Sequence, residues 1–162
     1  MRELKTGSGS NILARRHDAR AELRTLSAVS DILIVEDTEI DAQRLAANLR
    51  DLFGRTIEVR RAATLAAAVD LVLKKVPDLL LLDDYLKPAD TATESIPFLR
   101  RAGYHGPILV ISGAVDRQRR AQLKSLGVSD CLHKDDMFSG DLAMALLDAL
   151  RSDPAGPEDR PE

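Results

Sequence analysis

The chain reads as a doubly wound α/β domain, a five-stranded parallel sheet with helices on both faces. The first observation behind this is Leu79-Leu80-Leu81-Leu82, bounded by Pro77 and by Asp83-Asp84. The run is too short for a typical helix and apolar on both faces, as a strand covered above and below must be. The second is that four further strand-like runs alternate with stretches of helical periodicity. That alternation is the pattern of parallel strands joined by right-handed crossovers. The third is that several of these strands stop at polar or charged residues, which places chemistry along one edge of the sheet.

Length and composition bound the rest. The 162 residues suit one domain with a full core plus some tail. With 44% hydrophobic, 30% charged and 3% aromatic residues and no tryptophan, this is an aliphatic globular composition rather than a disordered one. No run approaches the length of a membrane span, and Met1-Arg2-Glu3-Leu4-Lys5 opens no signal-peptide core, so no membrane contact is expected. The single Cys131 forms no internal disulfide, which points to a reducing cytoplasm. A net charge of −3 makes no general case for nucleic-acid binding. Charge divides the chain into a leader of net +3 (1–30), a domain of net −3 (31–151) and a Pro-rich end of net −3 (152–162). The last is expected to be disordered.

In chain order, Gly7-Ser8-Gly9-Ser10 has linker composition. A helix is expected over 11–27, with Ile12, Ala19, Leu23 and Leu26 as a thin apolar stripe that needs a partner surface. Ile32-Leu33-Ile34-Val35 forms the first strand and ends at Glu36-Asp37. Asp37 or Thr38 caps a helix running to about Leu52, closed by Gly54. Residues 56–60 alternate as a more exposed strand, and Thr64 caps a helix with Leu65, Val69 and Val72 inward. The leucine strand follows, then a loop with Lys87-Pro88 and a short helix near Ile96–Ala102, whose Pro97 is tolerable only in the first turn. Ile108-Leu109-Val110-Ile111 ends at Ser112-Gly113. A helix over 116–126, the strand Asp130-Cys131-Leu132-His133 ending at Lys134, and a helix after Ser139 complete the domain.

Four strand ends therefore carry reactive groups: Glu36-Asp37, Asp83-Asp84, Ser112 and Lys134. Clustered carboxylates repel and call for a cation, and oxygen-only ligands suit a hard ion, above all Mg²⁺, with Mn²⁺ as a substitute. A lysine and a hydroxyl opposite the metal are what a phosphoryl group needs. One aspartate can then serve as the nucleophile of an acyl phosphate, with both members of the doublet as candidates.

With those motifs in that order, the chain resembles a response regulator receiver domain of two-component signalling over about residues 31–150. The resemblance implies a flavodoxin-like sheet in a single-domain response regulator. It also implies a partner that donates a phosphoryl group, either a histidine kinase or a histidine phosphotransfer protein. Asp83 resembles the phosphoacceptor, since Leu86 follows it at the family's apolar position. Asp37 resembles the direct Mg²⁺ ligand and Glu36 its partner acid, while Tyr85 offers a backbone carbonyl to the metal. Ser112 resembles the hydroxyl that turns toward the phosphoryl group, and Lys134 the lysine that pairs with acceptor and phosphate.

The chain also departs from the family pattern. Pro88 comes one position late, the loop 89–95 reads about four residues long, Asp135 follows the lysine, and Cys131 stands where an aromatic switch residue is usual. Cys131 reads as a small buried residue, His133 as a surface or packing histidine and His105 as a turn residue. The leader faintly resembles a kinase phosphorylation helix around His17, though a packed helical arm is the better reading. No output module follows residue 151, so the expected output is contact with an unknown downstream protein. A homodimer through the leader helix or the fourth and fifth strand–helix face is a further expectation. The protein is expected to be no enzyme beyond modifying itself. The alternatives are a degenerate receiver acting as a constitutive interaction module, and a Mg²⁺-dependent phosphatase.

Overall fold

A computed structural model describes residues 8–25, 29–87, 90–137 and 140–151. Five parallel strands form one sheet in the order β2-β1-β3-β6-β7: β1 (Asp31–Val35), β2 (Glu58–Ala62), β3 (Leu79–Asp83), β6 (Ile108–Ser112) and β7 (Asp130–His133). The expected five-stranded doubly wound sheet is therefore present. Successive side chains along a strand point to opposite faces, and that is how the leucine run is used. Leu79 and Leu81 join Ile32, Ile34, Leu109 and Ile111 on one face, under α1 (Ser8–Thr25), α2 (Glu39–Phe53) and α6 (Gly140–Arg151). Leu80 and Leu82 join Leu33, Val35 and Val110 on the other, under α3 (Leu65–Lys74), α4 (Ala92–Arg101) and α5 (Arg117–Ser125).

Helix ends follow local chemistry in part. The Thr64 hydroxyl accepts from the Ala67 N–H at 3.1 Å, and the Asp116 carboxylate accepts from the Arg119 N–H at 2.7 Å. Thr38 occupies the cap position of α2, but its side chain makes no cap bond. Its backbone N–H donates to Glu36 Oε1 at 3.0 Å instead, so the cap position serves the site. Gly54 closes α2 at φ 101°, a conformation that costs a side-chain-bearing residue energy.

Three local readings are corrected. The helix expected near Ile96–Ala102 begins at Ala92, because Ala92, Ser95, Ile96 and Leu99 make one buried face at helical spacing. Pro97 therefore lies inside the helix and not in its first turn. The loop after β3 is partly ordered as an antiparallel pair, β4 (Tyr85–Leu86) with β5 (Asp90–Thr91). Pro88 and Ala89 at its tip lie outside the described residues. The leader helix starts at Ser8 and takes in residues of linker composition, while its expected end at 27 falls outside the described residues, as do Leu26, Ser139 and the tail 152–162.

The leader helix packs inside the chain. Ala19 and Leu23 are buried in the same core layer as Leu49, Leu142 and Leu146. Arg20 pairs with Asp51 of α2 at 2.7 Å, Arg16 pairs with Asp141 at the start of α6 at 2.8 Å, and Arg151 pairs with Glu22. Ala19 and Leu23 of its apolar stripe, and Arg16 and Arg20 beside them, thus find partners on α2 and α6.

Candidate functional site

The strand order sets the site. β1 lies between β2 and β3, so the connections leave it in opposite directions and open a crevice at its carboxyl end. In register, Val35 lies beside Leu82 and Asp83 beside Ile111. The residues just past β1 therefore meet the end of β3. Glu36, Asp37 and Asp83 each place one carboxylate oxygen within 4.8 Å of the others. Lys134, just past β7, reaches in with Nζ 3.4 Å from Asp83 Oδ2 and 3.8 Å from Glu36 Oε2. The open pocket above them, about 380 Å³, also touches Ser112, Tyr85 and Lys87. A larger cavity of about 920 Å³ lies between α1 and the end of α2, but it is lined by Arg24, Arg50 and Arg55 and one acid, Asp51. Asp51 is paired with Arg20 at 2.7 Å, and the converging carboxylates and lysine lie at the smaller pocket.

Burial dominates the electrostatics. Glu36 is 4% exposed and Asp83 6%. Desolvation pushes the Glu36 carboxyl up to about 8 against its bond from the Thr38 N–H, and Asp83 adds to the rise. Asp83 is raised by the same desolvation, although Lys134 and the Tyr85 N–H, 3.3 Å from Oδ1, both favour its charged form. Asp37 is more open, and desolvation is outweighed there by the Lys87 N–H at 3.2 Å together with the bond to Glu36 and the Lys87 charge, which hold it low. Lys134 is held above its ordinary value: desolvation favours the neutral amine, but the Asp83 and Glu36 carboxylates outweigh it.

This donor set fits Mg²⁺. Three converging carboxylates face one ammonium, and buried acids whose charged form desolvation disfavours are the groups a divalent cation would stabilise. Glu36, Asp37 and Asp83 would hold the ion. The Tyr85 carbonyl belongs to the first residue of β4, directly beside the site.

The aspartate doublet divides. Asp83 turns to the acids and Lys134, while Asp84 accepts from Arg119 Nε at 3.1 Å and from the Ser112 hydroxyl at 3.0 Å. Ser112 thus stands at the pocket, as its strand-end position predicts, but its hydroxyl faces Asp84 rather than Asp83. Sequence reasoning missed Arg119, one of several arginines in a polar helix with no distinguishing spacing. It also missed Arg61, whose guanidinium donates to the backbone carbonyls of Glu36 and Asp37 at 3.1 Å each and so props up the end of β1.

The profile of the response regulator receiver domain matches residues 32–142. The chain belongs to the response regulator receiver domain family. Solved structures of similar fold include the receiver domain of Francisella response regulator 1452, at 19% identity over 75% of this chain and 95% of that one, TM-score 0.62. They also include the receiver domain of the putative response regulator NarL from Mycobacterium tuberculosis, at 21% identity over 76% and 98%, TM-score 0.64. The Vibrio cholerae chemotaxis protein CheY4 matches at 24% identity over 77% and 98%, TM-score 0.62. No curated protein matches by sequence. As a receiver domain the protein is a component of two-component signalling.

The remaining candidates fall on the structural side. Cys131 is buried, and desolvation pushes its thiol up to about 11, away from thiolate chemistry. His133 Nδ1 accepts from the Asp135 N–H at 3.0 Å and caps the 3-10 turn Lys134–Asp136. His105 and His17 are exposed. Among the described residues no helix is long and apolar enough to cross a membrane.

Proposed function

We propose that the protein is a phosphorylation-dependent switch or phosphoryl shuttle in which Asp83 accepts a phosphoryl group from a histidine kinase or histidine phosphotransfer protein. The observation that carries this reading is the position of Asp83: a carboxylate at the end of β3, next to two further acids and 3.4 Å from Lys134. The Asp83 oxygen attacks phosphorus, the P–N bond breaks, and its electron pair returns to the imidazole nitrogen of the donor. Bound Mg²⁺ supplies Lewis-acid stabilisation of charge on the phosphoryl oxygens. Lys134 orients Asp83 and then pairs with the phosphate. Asp84 is the weaker acceptor because the Arg119 guanidinium grips both its oxygens and it stands outside the Glu36–Asp37–Asp83 group that would hold the metal.

The chemistry is self-modification and its reversal by hydrolysis, rather than turnover of a free substrate. On this reading the receiver unit spans residues 31–151 with the leader helix as a packed extension, works in the cytoplasm, and signals through a protein contact. A constitutive interaction module is the second reading, favoured by the Ser112 hydroxyl facing away from Asp83.

Incubation with acetyl phosphate and Mg²⁺, read by intact mass, separates them. Incorporation that disappears in Asp83→Asn and persists in Asp84→Asn supports the switch. Incorporation lost only in Asp84→Asn moves the acceptor to Asp84. A protein that binds Mg²⁺ yet never gains phosphate, from this donor or from histidine kinases, is the interaction module.

A further inference from the structure

We infer that Asp84 and Arg119 form a latch that holds the Ser112 hydroxyl out of the Asp83 pocket, so that this pair sets how readily the site takes a phosphoryl group. The inference rests on the phosphoacceptor reading of Asp83 and adds Arg119 as a positioning residue.

Ser112 has one proton to give, and it is committed. Asp84 Oδ2 at 3.0 Å and the Ala114 carbonyl at 3.2 Å compete for it, the carboxylate being the nearer and the charged acceptor, and the hydroxyl oxygen accepts from the Ala114 N–H at 3.1 Å. Asp84 is in turn fixed by the Arg119 guanidinium, which grips both its oxygens. Arg119 also donates to the Thr93 hydroxyl at 2.7 Å and to Gln122 at 2.8 Å. Both partners are largely shielded, Asp84 at 14% and Arg119 at 19% side-chain exposure. The Asp84 backbone is clamped as well, its N–H donating to Ile111 and its carbonyl accepting from Ala92. Asp84 thus ties the end of β3 to β6 and α5 through its carboxylate and to the start of α4 through its backbone carbonyl.

A phosphoryl group on Asp83 offers three oxygens that need donors. Lys134 already faces it. The Ser112 hydroxyl can reach it only by leaving a charged acceptor, and charge-assisted bonds are about twice as strong as neutral ones. The added phosphate charge also falls beside Asp84, where Arg119 is the neutralising cation. Removing the acid and removing the base should therefore act in opposite directions. Without Asp84 the hydroxyl keeps only the neutral Ala114 carbonyl as acceptor, a weaker hold, and a like charge is gone. Without Arg119 an unpaired carboxylate keeps the hydroxyl and repels the phosphate.

The test is the affinity for fluoroberyllate with Mg²⁺, a phosphoryl mimic that binds a carboxylate, measured by calorimetry on the full chain with thermal melts as a folding control. Asp84→Ala is expected to tighten binding roughly tenfold, Asp84→Asn less, and Arg119→Gln to weaken it by a similar factor, in line with the loss of one charge-assisted bond. The double variant should follow Asp84→Ala, and Ser112→Ala should remove the share of the Asp84→Ala gain that comes from the hydroxyl, leaving only the share from the lost like charge. A folded Asp84→Ala protein with unchanged or weaker affinity overturns the latch, as does a gain of undiminished size in the Ser112→Ala background. If neither wild type nor Asp84→Ala binds the mimic, the phosphoacceptor reading falls and the latch with it. If wild type binds and Asp83→Asn does not, the acceptor stands whatever the latch variants do.

Discussion

The Lys134 ammonium lies 3.4 Å from Asp83 Oδ2, and it is the one cation that reaches the acid cluster among the described ion pairs. It does two opposed things. It neutralises the nucleophile's surroundings, and it repels a second cation from the same carboxylates. Lys134→Gln should therefore bind Mg²⁺ more tightly than wild type while accepting phosphate from acetyl phosphate roughly a hundredfold more slowly, the scale of losing one preorganised donor at a transition state. Calorimetry and time-resolved intact mass measure the two effects separately. Weaker metal binding in this variant would mean that Lys134 supports the cluster's geometry rather than its charge balance.

Glu36 makes the metal-free protein pH-sensitive. Its folded value of about 8 stands above the ordinary 4.5, so between those limits the fold binds a proton that the unfolded chain has lost. Stability from this group is thus fully present at the acidic end of that window and falls as pH rises through it. In EDTA, melting temperature should drop from pH 5.5 to pH 8 more steeply for wild type than for Glu36→Gln. Saturating Mg²⁺ should recover the loss at pH 8, because the ion stabilises the charged carboxylates.

At the opposite end of β1, Asp31 is 2% exposed and meets Arg60 of β2 through two bonds of 2.8 and 2.9 Å. Arg60 also donates to the carbonyls of Leu71 and Lys75 near the end of α3, at 3.0 and 2.7 Å. Removing one partner strands the other. Asp31→Ala should cost about 3–5 kcal/mol in urea denaturation, with acetyl phosphate labelling of the folded fraction unchanged because the pair is a strand length from Asp83.

Leu23 is the anchor of α1. It is fully buried in the layer shared by α2 and α6. Leu23→Ala should cost about 2–5 kcal/mol, the usual range for a leucine cavity. Amide exchange should rise first along α1 and leave β3 protected. Loss of protection across the sheet at the same denaturant concentration would show that α1 and the receiver unit fold as one cooperative block.

The sheet was legible in the amino-acid order, because hydrophobic periodicity records burial directly. A strand apolar on both faces must be covered on both, and the leucine run shows that without any partner being named. The same periodicity placed Glu36, Asp37, Asp83, Ser112 and Lys134 at strand ends. The face of α4 was also present, at Ala92, Ser95, Ile96 and Leu99, although Pro97 drew the boundary to the wrong turn. Which side chain meets which follows from the folded arrangement. Arg60 on Asp31, Arg119 on Asp84 and the seat of α1 on α2 and α6 depend on strand order and helix packing, which local spacing does not encode. The doublet shows this most clearly: Asp83 and Asp84 are adjacent in the chain and chemically identical. Asp83 meets the acids carried by β1, and Asp84 meets Ser112 of β6 and an arginine of α5.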